Sequence, residues 1–263
     1  MRIAAISDIH GNLGALDAVL ADIGRRGVDL TVNLGDIVSG ALQPSATAER
    51  LMALRFPTIR GNHERQLLAA DLASMSLSDR YAAETLTAQQ REWLSGLPAT
   101  LRLTEQVFLC HATPANDVDC YLEDIVAGDL VPTSLAAIEA RTGDCDAELI
   151  FCGHSHIPRV AHIPRGARST GSQVIVNPGS VGIQAYAGHH PIPHVLEMGS
   201  PHARYAIAER RSAGWSVELI AVPYDWHAAA KLAEQRGRRD WVLALRTGFV
   251  RAALAPAAQG AHH

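Results

Sequence analysis

The sequence predicts an α/β fold built around a parallel sheet. Three observations carry this: apolar runs of strand length at Arg2 to Ile6, Leu30 to Leu34 and Phe56 to Ile59; helical spacing of apolar residues between the runs; and connections short enough to require right-handed crossovers. With 263 residues and 48% hydrophobic content, the chain can bury a substantial core. One domain over residues 1–255 is expected, with a helical insertion near 71–98, a C-terminal hairpin plus helices over 203–248, and a loose tail at 256–263.

Each element has a local reason. Asn12 is placed to cap a helix in which Leu13, Leu16, Val19, Leu20 and Ile23 form one apolar face, and Gly27 stops it. Ser45 to Leu54 has helical composition, and Gly61 permits a sharp bend from the third apolar run into a helix at Arg65 to Ala69. In the insertion, Thr87-Ala88-Gln89-Gln90 has the form of a capping box, and Gly96 closes the helix before Pro98. Leu101 to Leu103 and Val107 to Cys110 read as strands, as do Leu149 to Cys152 and Val174 to Val176; Ala136 to Arg141 reads as a short helix. The acidic stretch with Asp117, Asp119, Glu123, Asp124 and Asp129 is expected to be a solvated loop, and His189, His190 and His194 to face solvent in a Pro-rich loop. Alternating Tyr205 to Arg210 and Trp215 to Val222 predict a hairpin. Asp225 caps an Ala-rich helix ended by Gly237, a second helix lies near Trp241 to Leu245, and Arg236, Arg238 and Arg239 read as a solvated helix end.

Composition narrows the function. A formal net charge of -4 disfavours an extended nucleic-acid partner. The N-terminal apolar run is too short for a signal-peptide core and no later run approaches a membrane span, so a soluble cytoplasmic protein with no membrane partner is expected. Cys110, Cys120, Cys145 and Cys152 contain no CxxC pair and read as reduced thiols, Cys110 and Cys152 as small buried hydrophobes.

The chemistry gathers at strand ends, where parallel sheets place their ligand sites. The first run ends in Asp8-Ile9-His10, the second in Gly35-Asp36 and the third in Gly61-Asn62-His63-Glu64. Later strands end in His111 and in Gly153-His154-Ser155-His156. Each motif alone is weak, because D-x-H and H-x-H triplets arise by chance and a Gly-Asp after a strand is an ordinary turn. Together they deliver hard oxygen and imidazole donors to one rim, with Asn62 able to ligate a divalent ion and His63 able to protonate a departing alkoxide.

These five blocks, in this order and context, resemble the calcineurin-like metallophosphoesterases over roughly the first 180 residues. The resemblance implies a four-layer α/β/β/α sandwich and two divalent metal ions, with Mn²⁺, Fe or Zn²⁺ suiting the donor types. By the same resemblance, Asp8, His10 and His156 hold one ion, Asn62, His111 and His154 hold the other, Asp36 bridges both, and His63 is the catalytic histidine. It further implies attack by a metal-bridging hydroxide on phosphorus. Two departures narrow the subgroup: the segment Asp36 to Gly40 lacks the arginine of the phosphatase branch, and no acidic partner for the catalytic histidine is visible. With His154-Ser155-His156, these features are similar to the small prokaryotic phosphodiesterases, which implies a small, nucleotide-like phosphodiester substrate; dinucleoside polyphosphate or phosphomonoester hydrolysis is the alternative. A non-catalytic protein-binding scaffold of the same fold ranks lower because His63 accompanies the full ligand set. Oligomeric state is open in the sequence, and the C-terminal helices cover either a partner subunit or a sheet edge.

Overall fold

The N-terminal apolar run becomes strand β1 (Arg2–Ile6) of a four-stranded sheet in the computed structural model, which describes residues 1–69, 71–164 and 172–254. Asn12 caps helix α1 (Leu13–Arg26), its side-chain oxygen accepting from Ala15 N, and Gly27 ends the helix in the left-handed region at φ 64°. The chain returns as β2 (Leu30–Asn33), parallel to β1. The expected third strand does not extend the sheet. Phe56 to Ile59 makes a single bridge, Asn33 to Thr58, since Pro57 has no N–H to donate and β2 has already turned away at Gly35. Helices α2 (Pro44–Leu54), α3 (Asn62–Ala69), α4 (Leu77–Thr85) and α5 (Ala88–Ser95) follow, α5 beginning with the expected Thr87–Gln90 capping box.

Strands β3 (Thr100–Thr104) and β4 (Val107–Cys110) open the second sheet. The acidic stretch is not simply a loop: it forms a hairpin of β5 (Glu123–Val126) and β6 (Asp129–Pro132), turning at Ala127 and Gly128 with φ 52° and 84°. Then come α6 (Leu135–Thr142), β7 (Leu149–Phe151), β8 (Arg159–Pro164) and β9 (Ser172–Asn177). The second sheet has the order β3-β4-β7-β9-β8, with β4, β7 and β9 parallel and an antiparallel strand at each edge.

A third sheet, unannounced by the sequence, joins β6 and β5 to β10 (Ala185–Gly188) and β11 (His194–Glu197). His189 and His190 are exposed as expected, but His194 is buried because β11 turns its ring against Tyr186. The predicted hairpin, β12 (Ala203–Arg211) and β13 (Gly214–Val222), completes the first sheet in the order β13-β12-β1-β2. Helices α7 (Trp226–Gln235), α8 (Arg239–Thr247) and α9 (Arg251–Leu254) follow; the tail at 256–263 lies outside the described residues.

Side-chain alternation along the strands sets the layers. Ile3, Ala5, Val32 and Leu34 face Leu109, Leu149, Phe151 and Val176 across the gap between the two larger sheets. The other face of β1, with Ala4 and Ile6, packs on Leu16, Val19 and Ile23 of α1, while Ile150 and Ile175 pack on Ile138 of α6. The result is the expected α/β/β/α order. Phe151 is fully buried in this seam, where truncation to alanine costs on the order of 3–5 kcal/mol. Helices α7 and α8 cover Ala41, Leu42, Ile183 and Ala185 of their own chain. No helix among the described residues is long and apolar enough to cross a membrane.

Candidate metal centre

The candidate residues leave the carboxyl ends of β1, β2, β4 and β7 and the turn before α3, and the backbone there is unusual. Among the described residues, seven non-glycine positions have positive φ, and five of them are Asp8, His10, Asp36, His154 and His156. Such conformations cost free energy and persist where surrounding structure imposes them. The turns are also pressed together. A Cβ at Gly61 would stand 2.1 Å from Asp36 Oδ1, and one at Gly153 would stand 2.0 Å from Ser7 Oγ, so both positions require glycine for close approach.

Glu64 locks two of these turns. Fully buried, it accepts from the backbone N–H groups of Asp36 and Gly61 through Oε2, at 2.8 and 2.9 Å, and from Ile37 through Oε1 at 2.8 Å. Ser180 Oγ donates to the Asp8 carbonyl at 2.7 Å, fixing the turn after β1.

All seven predicted ligands converge. His10 Nε2 and His156 Nε2 are 3.1 Å apart, and Asp8 Oδ1 lies 3.4 Å from His156 Nε2. In the other group Asn62 Oδ1 is 3.1 Å from both His111 Nε2 and His154 Nδ1, and Asp36 Oδ2 is 3.2 Å from His111 Nε2. The same Asp36 oxygen is 4.0 Å from His10 Nε2, which makes it the link between the groups. Ligands bonded to one ion at about 2.0–2.2 Å stand about 3–3.6 Å from one another when adjacent and about 4–4.4 Å when opposite, so these spacings suit two ion sites that share Asp36.

Three imidazoles are oriented by backbone. His10, His111 and His156 donate from Nδ1 to the carbonyls of Ser39, Leu34 and Ile183 at 2.6, 2.8 and 3.0 Å, which turns each Nε2 toward the centre. Burial pushes His10 and His154 down to about 4 and His156 well below the ordinary range, so all three are unprotonated donors at neutral pH. Burial also opposes the proton on His111, but the adjacent Asp36 carboxylate outweighs it and raises the group to about 10. Asp8, raised to about 7 chiefly by burial, keeps Oδ1 without any hydrogen-bond partner. A buried carboxylate oxygen left bare beside unprotonated imidazoles fits a cation, and the donor set of carboxylate, carboxamide and imidazole matches a divalent transition metal.

His63 stands beside this cluster, its ring 5.5 Å from that of His10 and partly open to solvent. Its Nδ1 is 2.9 Å from Asp79 Oδ1, so the expectation that no acidic partner exists is corrected. The partner comes from α4, in the helical insertion, where Asp79 is buried and also accepts from Ser76 Oγ at 2.6 Å. Sequence reasoning missed it because sixteen residues separate Asp79 from His63 with no motif between them, and its Ser76 neighbour reads as a plain helix cap. Burial works against a proton on His63, but Asp36 and Asp79 overcome it and raise the group to about 9, and Nε2 is left free to donate.

The chain is similar to proteins of known sequence and structure. A family model described as a calcineurin-like phosphoesterase superfamily domain matches residues 1–196. An uncharacterized protein of Methanocaldococcus jannaschii is 28% identical over 259 residues, covering 91% of this chain and 95% of that one. The crystal structure of a metallophosphoesterase from Sphaerobacter thermophilus superposes with a TM-score of 0.71 at 25% identity, covering 95% of this chain and 100% of the other. A hypothetical protein of Pyrococcus horikoshii, also at TM-score 0.71 and with 20% identity, covers 94% of this chain and 98% of its own and shares the fold.

Proposed function

Because the chain belongs to the calcineurin-like phosphoesterase superfamily, as its match over residues 1–196 establishes, we propose that it is a phosphodiesterase acting on a small, nucleotide-like phosphodiester with two divalent ions. Asp8, His10 and His156 would hold one ion, Asn62, His111 and His154 the other, and Asp36 both; the single observation that carries this is the Asp36 carboxylate lying between His10 and His111. Mn²⁺, Fe or Zn²⁺ suits the donors. When bound, such a pair polarises the phosphoryl oxygens and activates a water for in-line attack.

The protein's own part is proton management and orientation. Asp79 holds the His63 ring with Nδ1 occupied, so Nε2 carries its proton toward the rim. As the bond from phosphorus to the leaving oxygen breaks, His63 gives that proton to the oxygen, yielding a monoester and an alcohol. Glu64 acts indirectly, by keeping the Asp36 and Gly61 turns in register.

Diester preference is supported by the turn after Asp36. Ile37, Val38 and Ser39 carry no charge and a side chain at Gly40 would meet the His10 carbonyl oxygen at 1.9 Å, so this turn offers no cationic grip on the second charge of a monoester. The His63–Asp79 pair favours a second reading, monoester or dinucleoside polyphosphate hydrolysis, because it supplies the acid partner of the phosphatase branch. Mn²⁺-reconstituted protein should turn over bis-p-nitrophenyl phosphate with a higher kcat/KM than p-nitrophenyl phosphate. The reverse order would favour the second reading, and inactivity toward both with each of the three metals would reject the enzyme.

A further inference from the structure

The match to the family model ends at residue 196, yet α8 reaches the candidate active site from well beyond that point. Trp241 on α8 is 7% exposed; its ring lies 6.4 Å from that of His10, and its edge is 3.0 Å from where a Cβ at Gly40 would stand. Arg238, which precedes the helix, is not the solvated residue its sequence suggests. Its side chain is 14% exposed and its guanidinium sits 5.6 Å from the Trp241 ring. Asp240 accepts from Nε and Nη2 at 2.9 and 2.6 Å, which aims Nη1 at Ser78 Oγ, 3.1 Å away. Ser78 is the neighbour of Asp79 on α4. A second brace lies one turn further along α4, where the Arg236 guanidinium stacks 4.8 Å from the Tyr81 ring and bonds the Ala41 carbonyl at 3.2 Å.

We infer that Arg238 is a positioning residue for the proton donor: from the C-terminal helical pair it fixes α4 through Ser78, and thereby the Asp79 carboxylate that orients His63. The physical need is plain. The α4 segment is the outer wall of the site, with Leu77 65% exposed at its start, and Asp79 must hold an imidazole to hydrogen-bond tolerance. Arg238 suits the task because Asp240 and Trp241 hold its planar fork before it meets Ser78. Loss of the brace therefore misplaces the proton donor while leaving the metal ligands in place.

This inference rests on the proposed hydrolase reading, and the test separates the two. Arg238→Ala, Arg238→Lys, Ser78→Ala and wild type are loaded with Mn²⁺, metal content is measured, and kcat is compared on aryl phosphodiesters whose leaving phenols range from strongly to weakly acidic. A displaced proton donor hurts only substrates that need the proton. Arg238→Ala should bind the wild-type complement of Mn²⁺, stay within about twofold of wild type on the bis-p-nitrophenyl ester, and fall about tenfold on the ester of the least acidic phenol, a fraction of the roughly 10²–10⁴-fold a general acid supplies. Ser78→Ala should show the same trend more weakly, and Arg238→Lys should restore part of the loss. Equal losses across all leaving groups, or loss of Mn²⁺, in both Arg238→Ala and Ser78→Ala would overturn the inference while leaving the hydrolase reading intact. A wild-type protein inactive on every ester would overturn both.

Discussion

The two halves of the candidate centre use the same kinds of side chain but differ in what they hold when no ion is present. Around Asp8, burial leaves both imidazoles, His10 and His156, unprotonated at neutral pH. Around Asn62, burial of His111 is outweighed by Asp36 3.2 Å away, so this ring keeps a proton that a metal would have to displace. One half presents imidazoles without protons beside a partly protonated Asp8, and the other is an internal ion pair that a cation would have to break. The difference teaches that Asp36 does two jobs: it joins the halves, and it sets the proton cost of filling the second.

Removing Asp36 should therefore have the largest effect. Asp36→Ala should lose ion binding in both halves and lower kcat/KM on the order of 10³-fold or more, beyond the 10–100-fold typical of outer ligand-supporting groups. Retention of a full metal complement, measured by mass spectrometry of the dialysed protein, would show that the halves are independent. Asp79→Asn comes next: metal content should not change, and kcat should fall about 10–100-fold on a poor leaving group because His63 loses its orienting acceptor. A matching loss of metal in that variant would place Asp79 in the ligand framework instead.

The pH dependence of metal uptake sharpens the comparison. Metal-free protein carries protons that the loaded form lacks, so affinity rises with pH while those protons remain. In the first half the rise ends as Asp8 ionises through about 7; in the second it continues toward the His111 value of about 10. Between pH 7 and 9, calorimetric titration should show the weaker-protonated half levelling off and the other gaining about tenfold per pH unit for its one proton. Parallel profiles would contradict the assignment. The smallest effect is on stability: Glu64→Gln sets an amide N–H₂ against backbone donors of the Asp36, Ile37 or Gly61 turns and should cost about 1–3 kcal/mol, read by denaturant unfolding of the metal-free protein.

What the sequence made legible follows from where the information lies. Asp8, His10, Asp36, His154 and His156 sit within a few residues of strand ends, so a correct reading of the apolar runs placed them at one rim. The four layers were legible only through the family resemblance those strand-end motifs carry, because β1, β4 and β7 read as continuous apolar runs with no alternation to show two faces. Asp79 and Arg238 were not, because Asp79 meets His63 from a helix surface and Arg238 meets Ser78 from the turn between α7 and α8, where an acid or an arginine looks the same whether it faces water or a partner. The third sheet was hidden by its strands of four residues each, too short to show a period, with charges at Glu123 and Asp129 that suggested a loop. Burial of Glu123 is offset by Arg159, 2.8 Å away on β8, a partner no local window contains.

Anomalous diffraction from crystals of the Mn²⁺-loaded protein tests the shared centre most directly. Two peaks, each within bonding distance of an Asp36 oxygen, with Asp8, His10 and His156 around one and Asn62, His111 and His154 around the other, are the predicted result. A single peak, or a second peak that Asp36 does not touch, would contradict it.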